Sequence, residues 1–417
     1  KHMGEGMRFR NKMAYDLIRG IPQMMGLRTQ FVHLWVCDQT EKSNDTFEDY
    51  GLFTQVEQLN KTALKAHGLD KNGHLYKVNN FDFHRFEDTI KFADDPDYNQ
   101  TAFEGMLEIK GDSDHTKLIE MLDALNDESQ KIDNVLDTYF DTENLVYWLA
   151  FQILTGNCDT QNRNCYLYSP LNSKVWYILD WDNDGMLRKL ELSLTGFSDY
   201  ASWERGVSNY WGNVLFNRAL RSKSFRSELD RAVKDLRSYM TEARLSKMIK
   251  HYREVTESLV FASPDIDHLP VTKDQYEQIA AVIPAEIEEN YKSFRESYKK
   301  PMPFYIGVPQ IDNGKLRINW DASYDFEARD IRYTVELARD YAISDVVFKA
   351  EDVLLPEVTC DAPDTGQYFV RVRATNSDGY TQDAFDYYVT DDGKHYGMKC
   401  FYVQDGGKVV EDTYEEG

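Results

Sequence analysis

Apolar positions take helical spacing at the start of the chain, in MRFRNKMAYDLIRGIPQMM (7–25), where Met13, Ala14, Leu17, Ile18 and Ile21 share one face. The period then shortens to two. TQFVHLWVC (29–37) alternates as a strand does, and DYGLFTQVEQL (49–59) reads as a second strand ending in a polar turn. A charged loop, DQTEKSNDTFED, lies between them, and KNGHLYKV (71–78) combines a turn signal with a short strand. Residues 81–130 show no clear period beyond KLIEMLDAL (117–125). DTENLVYWLAFQILTG (141–156) predicts a helix with Leu145, Trp148, Leu149, Gln152 and Ile153 on one face and Gly156 as its stop. CYLY and KVWYILD (174–180) read as strands, and several helices occupy 212–260 and 273–298, separated by the break at 262–272.

The texture changes after KKPMP (299–303). GKLRINWDAS, DIRYTVELARD, GQYFVRVRATNSDG and AFDYYV are alternating strands with turn residues between them. This stretch resembles a fibronectin type III domain, with Trp320 in an early strand and Tyr368 at the tyrosine-corner position. The resemblance implies a spacer or presentation module. The fold class expected is therefore α+β: a mixed part of strands and helices over 1–298, an all-β sandwich over 299–390, and a hairpin with an acidic tail over 391–417.

Charge and composition narrow the function. The chain has 417 residues and a formal net charge of −23. No basic excess exists to displace counterions, which argues against a nucleic-acid or anionic-membrane partner. No apolar run approaches the roughly 20 residues of a membrane helix. No signal-peptide pattern opens the chain. Five cysteines form no CxxC pair; Cys360 and Cys400 are open to one disulfide, with reduced buried thiols the favoured alternative. Asn44, Asn60 and Asn99 stand in N-x-T sequons.

Two polar loops carry the chemistry. The first, TGNCDTQNRNCYLYSP (155–170), leaves the helix at Gly156 and brings Asn157, Asp159, Asn162 and Asn164 into a turn. The second, YILDWDNDGMLRKLE (177–191), places Asp180, Asp182, Asp184, Gly185 and Glu191 at the spacing of an EF-hand calcium loop. An EF-hand needs a helix entering its loop, whereas KVWYILD is β-branched and aromatic. Trp181 inside the loop and Arg188 at a ligand position weigh further against it. Phosphoryl transfer offers another use for the same residues. It needs a carboxylate to orient the attacking hydroxyl and divalent ions to bridge the phosphates. In protein kinases an Asp is followed five residues later by an Asn, and a strand hairpin leads on to a metal-binding Asp. Asp159, Asn164 and Asp182 keep that order here, and a hairpin brings its two ends together.

GNCDTQNRNCYLY followed by DWDNDG resembles the CotH (spore-coat protein H) family of atypical kinases, whose loop reads G-N-x-D-x₄-N-Y-Y-L-Y and then P-W-D-x-D-G. RNKMAYDLIR is similar to the family's helix before its central sheet, and YGLFTQVEQLNKTAL and NGHLYK to its inter-lobe strand, hinge and following segment. The resemblance covers roughly 7–298 and implies that the 1–298 part is a two-lobed kinase-like α+β domain, with an incomplete small lobe as one alternative. It implies that Asp159 orients the substrate hydroxyl, that Asn164 and Asp182 bind metal with Asp184 as a second acidic contact, and that backbone around Glu57, Gln58 and Leu59 meets adenine. ATP with magnesium or manganese is implied, with calcium as the alternative ion. A protein substrate with Ser or Thr hydroxyls and an extracellular or spore-surface location are implied as well. Asn157 is expected to fix its loop through side-chain-to-backbone bonds rather than to contact ligand. Asp180 stands where the family has Pro, as an added ligand or a solvated carboxylate, and Glu191 is expected at the surface. The family's phosphate-binding lysine would precede the AYDL helix, where only twelve residues stand before Met13, and Asn11 takes the place often held by that lysine's Glu partner. A non-catalytic, metal- or calcium-stabilised secreted adaptor is thus the alternative to an active kinase. No Gly-rich phosphate loop, HExxH or G-x-S-x-G occurs.

Overall fold

The computed structural model describes residues 4–40, 46–196, 201–391 and 393–412. The chain divides into two compact units, one of residues 1–198 and 213–292, the other of 199–212 and 293–417.

The first unit opens with helix α1 (Arg10–Ile18), which buries every residue except Lys12 and Asp16. Strands β1 (Thr29–Val36) and β2 (Glu48–Val56) pair antiparallel, with an irregularity between Leu34 and Trp35. Short helix α2 (Lys61–Ala66) follows, capped by Asn60, and leads to β3 (His74–Val78). The stretch 81–130, largely silent in the sequence, contains α3 (Gln100–Met106), β4 (Leu107–Ile109) and α4 (Thr116–Asn126). Asn99 caps α3 through its side chain, while the third sequon, at Asn44, lies outside the described residues. After α5 (Ile132–Tyr139) comes α6 (Thr142–Thr155), then the hairpin β5 (Cys165–Ser169) and β6 (Tyr177–Asp180). The four strands form an antiparallel sheet in the order β4-β3-β5-β6. Helices α7 (Lys189–Leu194), α8 (Val214–Arg221), α9 (Lys223–Tyr239), α10 (Glu242–Val260) and α11 (Lys273–Ser297) complete the helical part.

Helix α6 is the axis of this unit. Asp141 caps its start by accepting the Asn144 N–H at 2.9 Å, and Gly156 ends it in the left-handed conformation at φ 63°. A side chain there would meet the Asn290 amide at 2.7 Å. The sequence predicts one apolar face; in the structure all residues from Asn144 to Thr155 are buried. An all-round buried helix must satisfy any polar side chain internally, and that requirement falls on Gln152.

A buried ion cluster ties the start of the chain to the second polar loop. Arg10 is fully buried and donates to Glu5 at 3.1 Å, to Glu191, and through Nε to the Leu187 carbonyl at 3.1 Å. Glu191 also accepts the Gly6 N–H and an Arg188 N–H, each at 3.0 Å. The expectation that Glu191 is a surface residue is therefore corrected: its exposure is 0%. Burial opposes its ionisation, but Arg10 and Arg188 outweigh that, and its carboxyl lies below the ordinary range.

The second unit is built of strands β7 (Gln310–Asp312), β8 (Lys315–Asn319), β9 (Ile331–Ala338), β10 (Val346–Val353), β11 (Glu357–Asp361), β12 (Gly366–Asn376), β13 (Thr381–Asp383), β14 (Tyr387–Thr390), β15 (Gly393–Tyr396), β16 (Met398–Gln404) and β17 (Lys408–Glu411). One sheet runs β10-β9-β12-β16-β17 with β13 also on β12, and a second runs β11-β8-β7. Ile318, Trp320, Tyr333, Val335, Tyr368 and Val370 pack in their common core. The Tyr368 hydroxyl donates to the Asp364 carbonyl at 3.0 Å, the backward bond that a tyrosine corner makes. The terminal hairpin β16–β17 belongs to the larger sheet through β12. Cys360 and Cys400 are both free thiols.

Removing Arg10 leaves the buried Glu5 without its ion-pair partner and Glu191 with Arg188 alone, a change that costs about 3–5 kcal/mol when a buried pair is broken. Arg10→Met should lower the urea midpoint accordingly, whereas Arg317→Met, at an exposed pair with Glu357, should change it little. Equal small effects in both variants would contradict the role given to the cluster.

Candidate functional site

The two polar loops meet over the end of α6 and the β5–β6 hairpin. A network of amides and one carboxylate joins them. Gln152 donates to Asp180 Oδ1 at 2.6 Å, and Asn183 donates to Asp180 Oδ2. Asn157 donates to Gln152 Oε1 at 3.2 Å and to Asn183 Oδ1 at 3.3 Å. The Asn157 amide thus reaches side chains, Gln152 on α6 and Asn183 on the other loop, in place of the side-chain-to-backbone bonds expected. Gly185 allows this approach, since a Cβ there would lie 2.5 Å from Asn157 Oδ1.

Asp180 is thus corrected from an added metal ligand or solvated carboxylate to the buried centre of this network, 2% exposed. Desolvation pushes its carboxyl up to about 7, against the hydrogen bonds from Asn183 and Gln152 that pull it down. Neither reading of the sequence singled out Gln152. Its signal was available, as the lone amide in the apolar run LVYWLAFQIL.

Asp182 sits one step outside the network. Asn11 donates to its Oδ1 at 3.0 Å, and its N–H donates to the Tyr15 hydroxyl at 3.1 Å. Asn11 Oδ1 in turn accepts the Asn183 N–H at 3.1 Å. Helix α1 thereby grips the acidic loop with two side chains one turn apart. Asp182 and Leu187 hold φ of 51° and 50°, and Asn164, on the first loop, holds 59°. Asn and Asp tolerate this left-handed region; Leu does so at a cost, and the Arg10 bond to its carbonyl helps to hold it there.

Asp159 faces solvent with 60% of its side chain. Asn164 bridges back to it, donating to its carbonyl and to Oδ2, each at 2.9 Å, and Arg163 Nε lies 3.6 Å from Oδ1. Desolvation raises the Asp159 pKa against the opposing pull of Arg163 and Asn164, and the Asp184 carboxylate across the hairpin adds to the rise. Asp159, Asn164 and Asp184 thus share one electrostatic environment, with Asp182 two residues from Asp184.

Glu57, Gln58 and Leu59 lie in the turn between β2 and α2. Leu59 is 2% exposed and packs with Tyr15, Tyr166 and Leu179, with Val56 and Trp181 against them. Glu57 accepts from Arg28 and His67 and is held down at about 2, chiefly by the Arg28 bond. Gln58 is exposed.

No EF-hand forms around Glu191, whose oxygens are bonded to Arg10, Arg188 and Gly6. Among the described residues no group of three or more His, Cys, Asp and Glu is arranged to hold a metal ion. Magnesium seldom uses such a cage: one or two carboxylates plus phosphate oxygens and waters suffice. Asp182 and Asp184 are carboxylates, and Asn164 donates to Asp159 through its amide nitrogen, so these side chains carry oxygen donors of the kind magnesium takes. Among the described residues no helix is long and apolar enough to cross a membrane.

Comparison with known proteins adds one strong finding. The family model described as CotH kinase protein matches residues 1–294. No curated protein matches the chain. Among solved structures it is similar to the twitchin kinase region from C. elegans, at 18% identity and a TM-score of 0.18, over 23% of this chain and 20% of that one. The chain thus spans a fifth of that protein's length, and so slight a likeness carries no argument.

A carboxyl whose folded-state pKa lies above its unfolded value favours the folded state while protonated. For Asp180 that contribution is full below about pH 4 and is lost as pH rises through about 7. Wild-type melting temperature should therefore fall by several degrees more between about pH 5 and pH 8 than that of Asp180→Asn. Parallel pH profiles for the two proteins would show that Asp180 is ionised throughout.

Proposed function

The chain belongs to the CotH kinase family, and on that premise we propose that it is an ATP-dependent kinase acting on Ser or Thr hydroxyls of a secreted or surface protein. The observation that carries this reading is the pairing of Cys165 with Asp180 in the β5–β6 hairpin, which brings the Asp159–Asn164 turn and the Asp182–Asp184 loop to the same end of that hairpin, with Asn157 and Asn183 bonded across them. A structural ion loop has no need of Asp159.

In this reading Asp159 orients the substrate hydroxyl and accepts its proton as the oxygen bonds to the γ-phosphorus; the bond to the bridging oxygen breaks and ADP leaves. A raised pKa makes that carboxylate the better base. Asn164 positions Asp159 through the two bonds described and turns its amide oxygen to the metal side. Asp182 and Asp184 would hold magnesium or manganese, which neutralises charge on the transferring phosphate. Asn11 and Tyr15 fix the direction in which Asp182 points. Backbone at Glu57, Gln58 and Leu59 would receive the adenine. The β-sandwich, read as a fibronectin type III-like module, would present the kinase unit to its substrate outside the cell.

The test is transfer of labelled γ-phosphate to a Ser/Thr-rich acceptor protein. Asp159→Asn should lower kcat by about 10²-fold or more while leaving ATP affinity within a few-fold. The acid limb of the wild-type rate should lie above the ordinary Asp range, because Asp159 must be ionised to accept the proton. Unchanged transfer in Asp159→Asn would remove its assigned role. Absence of transfer in the wild type, with metal binding retained, would favour the non-catalytic adaptor.

A further inference from the structure

A second recess lies in the first unit, where α1, β1 and α10 meet, with a volume of about 940 Å³. That is the size of a small-molecule site. Its floor is ordered by Lys12, whose ammonium lies 5.6 Å from the Phe31 ring centre and 5.7 Å from that of Tyr252. Asp16 is the one carboxylate among the lining residues. Its Oδ2 already accepts from Lys12 at 2.8 Å and from the Tyr252 hydroxyl at 2.6 Å.

The rim has the opposite sign from the molecule as a whole. Arg244, Lys247 and His251 recur at three- and four-residue steps along α10, which sets them on one exposed face. Met248 and Val255 add apolar surface beside them, Val255 being 48% exposed. Arg244 and Lys247 over an aromatic floor, in a chain of net charge −23, make this a local site of attraction for anions.

We propose that this recess binds a small ligand bearing a phosphate group and a flat apolar ring. The phosphate lies against Arg244 and Lys247, where charge-assisted hydrogen bonds are strong, and the ring lies against Phe31 and Met248. This binding does not rest on the kinase reading.

Phenyl phosphate is the probe, titrated calorimetrically into the full chain without divalent metal, with phenol and inorganic phosphate as separate titrants. Saturable binding of phenyl phosphate, tighter than either half, is expected. Arg244→Glu combined with Lys247→Glu should weaken it by about tenfold or more, with circular dichroism unchanged because both side chains are exposed. Asp182→Asn should leave it unchanged. No saturable binding, binding indifferent to the double charge reversal, or binding lost in Asp182→Asn would each overturn the proposal. Intact phenyl phosphate binding in a wild-type chain that transfers no phosphate would support this site while removing the kinase reading.

Discussion

The acidic loop depends on a carboxylate buried beneath it. Asp180 takes hydrogen bonds from Gln152 on α6 and from Asn183 on the loop itself, and Asn157 closes the circuit from the other loop. Burying a carboxyl is costly unless its oxygens are satisfied, and losing either donor would leave that cost unopposed. The network therefore specifies one arrangement of two loops that local sequence alone would leave free. Three of its four members are amides. They supply donors without adding charge.

A second constraint acts from the start of the chain. Arg10 holds Glu5, Glu191 and the Leu187 carbonyl, while Asn11 and Tyr15, on the same helix, hold Asp182. The acidic loop is thus anchored at both ends and beneath. Its left-handed residues, Asp182 and Leu187, are conformations that such anchoring sustains. What remains outward is Asp159 with Asn164, facing the field of Asp184. Buried polar groups thus fix the geometry of both loops, while Asp159 stays exposed.

Much of this was legible in the sequence because it is local. The α6 helix, its Gly156 stop, the β5–β6 hairpin and the five-residue step from Asp159 to Asn164 all follow from spacing and turn chemistry. The position of Tyr368 likewise anticipates its bond to the Asp364 carbonyl. The sequence was less informative where partners are distant. Glu191 is fixed by Arg10 from the far end of the unit, and no periodicity reveals such a pair. Asp180 and Asp182 look equivalent in DWDNDG, yet the β6 pleat and α6 send one into the core and leave the other at the edge. The helical pattern placed Gln152 on a face without showing that every face is covered. Elements α3 and β4 were missed because their short, mixed sequences carry no period.

The central claim is that the two loops form one nucleotide–metal site. Calorimetric titration of ATP into the full chain, with manganese and then with EDTA, tests it most directly when repeated on Asp182→Ala. The account predicts saturable ATP binding that requires manganese and is lost in Asp182→Ala. Nucleotide binding indifferent to both EDTA and the substitution, or no binding with manganese present, would contradict it.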